Sequence, residues 1–161
     1  MVTADRLREL LVYDPETGVF LWRESRGGQR CSGNSAGYVH HNGYRQIMID
    51  EREYSAHRLA WLYVHGAWPT GQIDHINGDR GDNRISNLRD VTPALNTQNQ
   101  RRAARSNKSS GLLGVTANRG RWLAQISIGG KSRNLGRYAT PEEAHAVYVA
   151  AKRVLHAGCT L

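Results

Sequence analysis

The sequence predicts an α+β fold in two modules, and three observations carry that prediction. Short apolar strands alternate with short amphipathic helices up to Ala104. Residues 105–110 form a polar, basic interruption. Beyond it, three strands lead into one long amphipathic helix. The boundaries read from this pattern are 1–104 for the first module, 105–110 for a linker, and 111–161 for a three-stranded antiparallel sheet packed on one helix.

Thr3 caps a helix over residues 3–12, with Leu7, Leu10 and Leu11 on one face. Asp14-Pro15-Glu16-Thr17-Gly18 is a turn leading into a strand over Val19–Trp22, and residues 27–37 are loop-like. These N-terminal residues are expected to complete the first module's sheet. Asn42-Gly43 opens a strand over 44–49, and Ser55 to His65 is helical, with Gly66 and Pro69 as its stop. A strand over 72–76, the turn Asn77-Gly78-Asp79 and a strand over 87–91 follow. Thr92-Pro93 then supplies an N-cap and first-turn proline for a helix to about Ala104. In the second module, strands over 114–116, 121–128 and 132–138 precede Thr140-Pro141-Glu142-Glu143, a capping box. The helix behind it places Ala144, Val147, Tyr148, Ala151, Val154 and Leu155 on one stripe and stops at Gly158.

The net charge is +8, from 22 Lys and Arg against 14 Asp and Glu. Between Val91 and Pro141 there is no acid, only Arg101, Arg102, Arg105, Lys108, Arg119, Arg121, Lys131, Arg133 and Arg137. Ordinary surfaces mix signs, so a stretch this one-sided points to a polyanion, most simply nucleic acid. No run of apolar residues is long enough to span a membrane. Two cysteines, Cys31 and Cys159, give no disulfide framework and suit a reducing cytoplasm.

Asp74-His75 at a strand end, Asn87 twelve residues on and Asn96 at a helix start, with Asn77-Gly78-Asp79 and Asp82-Asn83-Arg84 between, form one constellation. It resembles the HNH endonucleases, the ββα-metal nucleases, and most narrowly their phage homing branch. The resemblance implies a hydrolase acting on double-stranded DNA, as monomer or dimer, with His75 as general base and Asn87 holding the hairpin and orienting His75. It also implies a divalent ion, Mg²⁺ or Mn²⁺, held by Asp74 and Asn96. Neutral imidazole suits a base near pH 7, and hard ions prefer oxygen ligands. Asn99, one turn after Asn96, is a rival ligand, while Asp82 and Asn83 read as loop caps and His57 as structural. An inactive DNA-binding protein or repressor, and an RNA-binding module, are the rival functions.

Gly114-Val115, Trp122, Ala124, Ile126, Leu135-Gly136, Tyr138, Glu142-Glu143-Ala144 and Tyr148 resemble the APETALA2-type DNA-binding domain. That resemblance implies a sheet entering the major groove, with Arg119, Arg121, Gln125, Arg133 and Arg137 facing DNA, while the alternation along 121–128 puts Trp122 with Ala124 and Ile126 on the face toward the helix. Arg101, Arg102, Arg105 and Lys108 would extend the basic surface.

Overall fold

The computed structural model describes residues 1–24, 33–104 and 106–161. Arg105, Cys31 and the first residues of the loop expected over 27–37 lie outside them. The chain divides into two compact units, Met1–Thr92 and Pro93–Leu161. The division falls at the Thr92-Pro93 step, and the stretch expected as a linker lies inside the second unit. Local hydrogen bonds explain the difference. Asn107 Nδ2 donates to the carbonyls of Leu112 at 2.9 Å and Val115 at 3.2 Å, and Ser110 Oγ donates to Val115 at 2.8 Å. Ser and Asn side chains satisfy backbone groups as readily as they meet water, so composition alone does not separate the two cases.

In the first unit, Thr3 Oγ1 accepts from Arg6 N and starts α1 (Ala4–Leu10). The helix stops short of its expected end because Leu11 enters β1 (Leu11–Asp14), which pairs antiparallel with β2 (Val19–Trp22). This hairpin is a separate two-stranded sheet and completes no other. Its turn presses on the loop at 83–84: a side chain at Gly18, where φ is +72°, would stand 2.4 Å from Arg84 N. Tyr13 Oη donates to the Asn83 carbonyl at 2.8 Å from just below that turn. A second antiparallel sheet follows, with β4 (Arg45–Ile49) between β3 (Tyr38–Val39) and β5 (Arg52–Ser55). Ile47 and Ile49 point inward while Met48 is exposed, the period of two that a half-buried strand requires. Next, α2 (Ala56–His65) buries Ala56, Leu59, Ala60 and Leu62 and ends at Gly66, whose φ of +74° closes the helix. The unit finishes with β6 (Gln72–His75), a single 3₁₀ turn (Ile85–Asn87) and β7 (Leu88–Val91) antiparallel to β6. One core, including Leu7, Leu11, Phe20, Ile47, Leu59 and Leu88, joins all three sheets of this unit to both helices.

The second unit opens with α3 (Pro93–Gln98), which ends well before Ala104. The amides of Asn99 and Gln100 turn back onto the carbonyls of Asn96 and Thr97, closing the last turn tightly. A three-stranded sheet follows, with β9 (Arg121–Ile128) between β8 (Val115–Asn118) and β10 (Lys131–Tyr138). Both hairpin turns put two successive residues at positive φ: Arg119 and Gly120 at 50° and 76°, Gly129 and Gly130 at 55° and 77°. Such turns match the right-handed twist of paired strands. The capping box of Thr140 and Glu143 forms as expected and starts α4 (Pro141–Leu155). Its buried residues are Ala144, Tyr148 and Lys152, whereas Val154, expected on the apolar stripe, is 83% exposed. Lys152 takes the buried place because its stem is apolar and its ammonium donates to the Gln100 carbonyl. Gly158 does not stop the helix. It lies buried against α3, where a side chain would stand 2.3 Å from the Leu95 carbonyl oxygen.

Candidate active site

Strand β6 brings Asp74 and His75 to its end, both buried. Adjacent residues on a strand face opposite sides, and their partners differ accordingly. Asp74 stands opposite Arg89 in the β6–β7 register, and Arg89 Nε and Nη2 both donate to its Oδ2, at 2.9 and 2.7 Å. The imidazole of His75 lies among other rings, with the Tyr44 centroid 5.8 Å away and that of His57 5.2 Å away and edge-on. Its Nε2 lies 3.3 Å from Asn83 Oδ1. Burial pushes the His75 pKa below its usual 6.5, although the Asn83 bond and the carboxylates of Asp74, Asp82 and Asp79 pull the other way. His57, half-buried on α2, is pushed down to about 3 by loss of solvent around its ring, with His75 and Arg58 adding to the shift. Both rings are therefore neutral near pH 7.

The turn after His75 is held by amides. Asn87 Oδ1 accepts from Asn77 N at 2.9 Å, while its Nδ2 donates to Asn77 Oδ1 at 3.0 Å and to the Asp82 carbonyl at 2.8 Å. Its own carbonyl accepts from Ile76 N, the residue next to His75. Asn87 thus ties Ile76, Asn77 and Asp82 together across the loop. The side chain that meets the His75 ring, however, is Asn83, read from the sequence as a loop cap and 2% exposed here. Asp82 closes the loop by accepting from Arg84 and Asn77, and the Arg84 guanidinium holds its pKa at about 2. Sequence spacing gave no sign of Arg89 or Tyr44, since cross-strand register and ring packing decide both. His57 lies close enough to His75 in the sequence to invite attention, yet nothing in the pattern aims one ring at the other.

The remaining expected ligand, Asn96, is half-buried on α3 in the second unit. Its rival Asn99 is buried, and Asn99 Oδ1 accepts from Thr160 Oγ1 at 2.5 Å. No group of three or more His, Cys, Asp or Glu with the disposition of a metal site occurs among the described residues.

Of the residues expected to face DNA, register places Arg121, Gln125 and Arg137 on one side of the second unit's sheet. Arg121 pairs with Asn118, Gln125 with Asn134 and Arg137 with Leu123. Arg133 pairs with Ile126 and so shares the helix-bearing side, because a bulge between Asn134 and Gly136 shifts the alternation. Trp122 packs against the core of this unit, as its position on the strand predicted. Arg119 occupies a turn, and Arg102 and Lys108 are exposed. Arg101 is engaged within the fold, its Nη2 donating to the Thr160 carbonyl at 3.0 Å and to Thr160 Oγ1 at 2.8 Å.

Residues 54–98 match the family model described as HNH endonuclease. The match runs from β5 to the end of α3, under a third of the chain, and an HNH domain there implies a nuclease with DNA as its substrate. No curated protein and no solved structure matches the chain. No helix among the described residues is long and apolar enough to cross a membrane.

Proposed function

We propose that the protein is a metal-dependent DNA endonuclease of homing type, nicking or cutting a long site. The observation that carries this reading is the β6–β7 hairpin, where His75 ends a strand beside Asp74 within the segment matching the HNH model. His75, neutral at physiological pH, takes the proton of the attacking water. Asn83 orients its ring, and Asn87 fixes the turn that carries both. Asp74 and Asn96 offer a carboxylate and an amide oxygen, donors that suit a hard, largely hydrated Mg²⁺ or Mn²⁺. Asn99, whose Oδ1 accepts from Thr160 Oγ1, stays the rival amide ligand, and sequence spacing favours Asn96. Such an ion, when bound, supplies positive charge to the phosphate and leaving oxygen. The second unit, through the APETALA2-like pattern of its sheet and helix, adds affinity by presenting Arg121, Gln125 and Arg137 to the DNA.

Supercoiled plasmid incubated with the protein and Mg²⁺ should be relaxed or linearised, and EDTA should prevent it. His75→Ala should lower the rate by about 10²–10⁴-fold while leaving DNA affinity nearly intact. Asp74→Ala and Asn96→Ala should raise the Mg²⁺ concentration needed for half-maximal cleavage. Wild-type rates from His75→Ala would refute the assignment. One observation favours a second reading, an inactive DNA-binding protein: the His75 side chain is enclosed, with 4% of the residue exposed. On that reading the plasmid stays supercoiled, and His75→Ala unfolds the first unit.

A further inference from the structure

We infer that Arg80 is a phosphate-contacting residue of this site, gripping the DNA backbone beside His75; the inference rests on the nuclease reading above. Arg80 follows the Asn77-Gly78-Asp79 turn and is exposed. Two interactions from the β3–β4 hairpin hold its guanidinium: Nη1 donates to the Asn42 carbonyl at 2.8 Å, and the Tyr44 ring lies beneath it, 4.9 Å from Cζ to centroid. The same Tyr44 ring lies 5.8 Å from the His75 ring. A cation is thereby fixed next to the proposed base, one aromatic ring away.

The charge of Arg80 is not consumed inside the protein. It forms no ion pair among the described residues, although two carboxylates sit in its own loop. Asp82 is taken by Arg84 at 2.6 Å, and Asp79 Oδ1 accepts from Gly81 N at 2.9 Å. A guanidinium carries five N–H donors in a rigid fork, and the Asn42 carbonyl uses one group of them. The rest present the planar donor set that binds phosphate in two-point fashion. Bracing by a ring and a carbonyl lowers the rotamer entropy lost on binding. Hydrolysis builds negative charge on the phosphate, and a fixed donor aimed at that charge accelerates the step.

The test measures DNA binding and cleavage separately. In the non-cleaving His75→Ala background without added metal, Arg80→Gln should reduce the slope of log K against log[salt] by about 0.9, the value for one phosphate. In the otherwise wild-type protein, Arg80→Gln should lower the nicking rate at saturating DNA about 10²-fold with an unchanged thermal unfolding midpoint, and Arg80→Lys should recover part of the loss. An unchanged salt slope together with a wild-type nicking rate would overturn the inference. So would a rate loss that comes with a lower midpoint, an unchanged slope and no recovery in Arg80→Lys, because Arg80 would then be only a strut between hairpin and loop. If the wild-type protein fails to nick at all, the nuclease reading falls, and the salt slope alone still decides whether Arg80 touches phosphate.

Discussion

His57 shows how one enclosed side chain couples the site to stability. Its folded pKa of about 3 lies below the ordinary 6.5 of an exposed histidine. Between those values the unfolded chain binds a proton that the native state refuses, so stability falls as pH drops through that window. His57 should contribute a slope of about 1.4 kcal/mol per pH unit there, and His75, shifted in the same direction, should add to it. Asp82 acts only at lower pH, its stabilisation being lost between the ordinary carboxylate value of 3.8 and about 2. Denaturant unfolding at pH 4.5 and pH 7 should therefore differ, and His57→Phe should flatten the dependence. An unaltered slope in that variant would show that His57 is protonated as readily in the fold as outside it. Asp74 and Arg89 make a second case at this scale. Arg89→Met removes the two guanidinium donors from a buried carboxylate and should cost about 2 kcal/mol, measurable as a lower urea midpoint.

At the scale of the element, α3 is held by residues far along the chain. The turn after α4 packs on it: Gly158 N donates to Gln98 Oε1 at 2.9 Å, Thr160 bonds Asn99 and Arg101, and Lys152 reaches the Gln100 carbonyl. A helix of six residues is too short to persist on its own propensity. Deleting Gly158–Leu161 should therefore loosen α3, seen as faster amide exchange over residues 95–101, and, on the metal role proposed for Asn96, should raise the Mg²⁺ requirement. Gly158→Ala tests the same packing more finely, since the added methyl meets the Leu95 carbonyl. Gly114 is comparable: a side chain there would stand 2.0 Å from the Tyr148 ring, so Gly114→Ala should destabilise the second unit by about 1–3 kcal/mol through overpacking and an unfavourable φ.

For the whole molecule, the two units carry separate cores, and the acid-free stretch belongs almost wholly to the second. Truncation after Ser109 removes Arg119, Arg121, Lys131, Arg133 and Arg137. The salt dependence of DNA binding should flatten by about 0.9 for each phosphate that the protein no longer neutralises. Because the same cut removes α4 and the tail that hold α3, cleavage should fall further than affinity alone explains. Gel shifts at several salt concentrations, beside plasmid nicking, separate the two effects. Equal slopes in full-length and truncated protein would mean that the second unit does not bind DNA.

Local chemistry determined much of this in the sequence itself. The caps at Thr3 and Thr140, the Gly129-Gly130 turn, the closing Gly66 and the run from Asp74 to Asn87 depend on residues close together, so short-range pattern suffices. The alternation along β9 also told which side would bury Trp122, Ala124 and Ile126. Tertiary structure decided whatever depends on distant partners. Leu11 left its helix because β2 offered a partner, and Arg133 changed sides because a bulge shifted its strand. Lys152 went inward because Gln100 could receive its proton donors, and the supposed linker was ordered by carbonyls at Leu112 and Val115. In the candidate site, the sequence pattern singled out Asp74, His75 and Asn87, while only the folded chain placed Asn83, His57, Tyr44 and Arg89 around them. Register and ring packing bring those side chains together, and neither is written in the spacing of one segment.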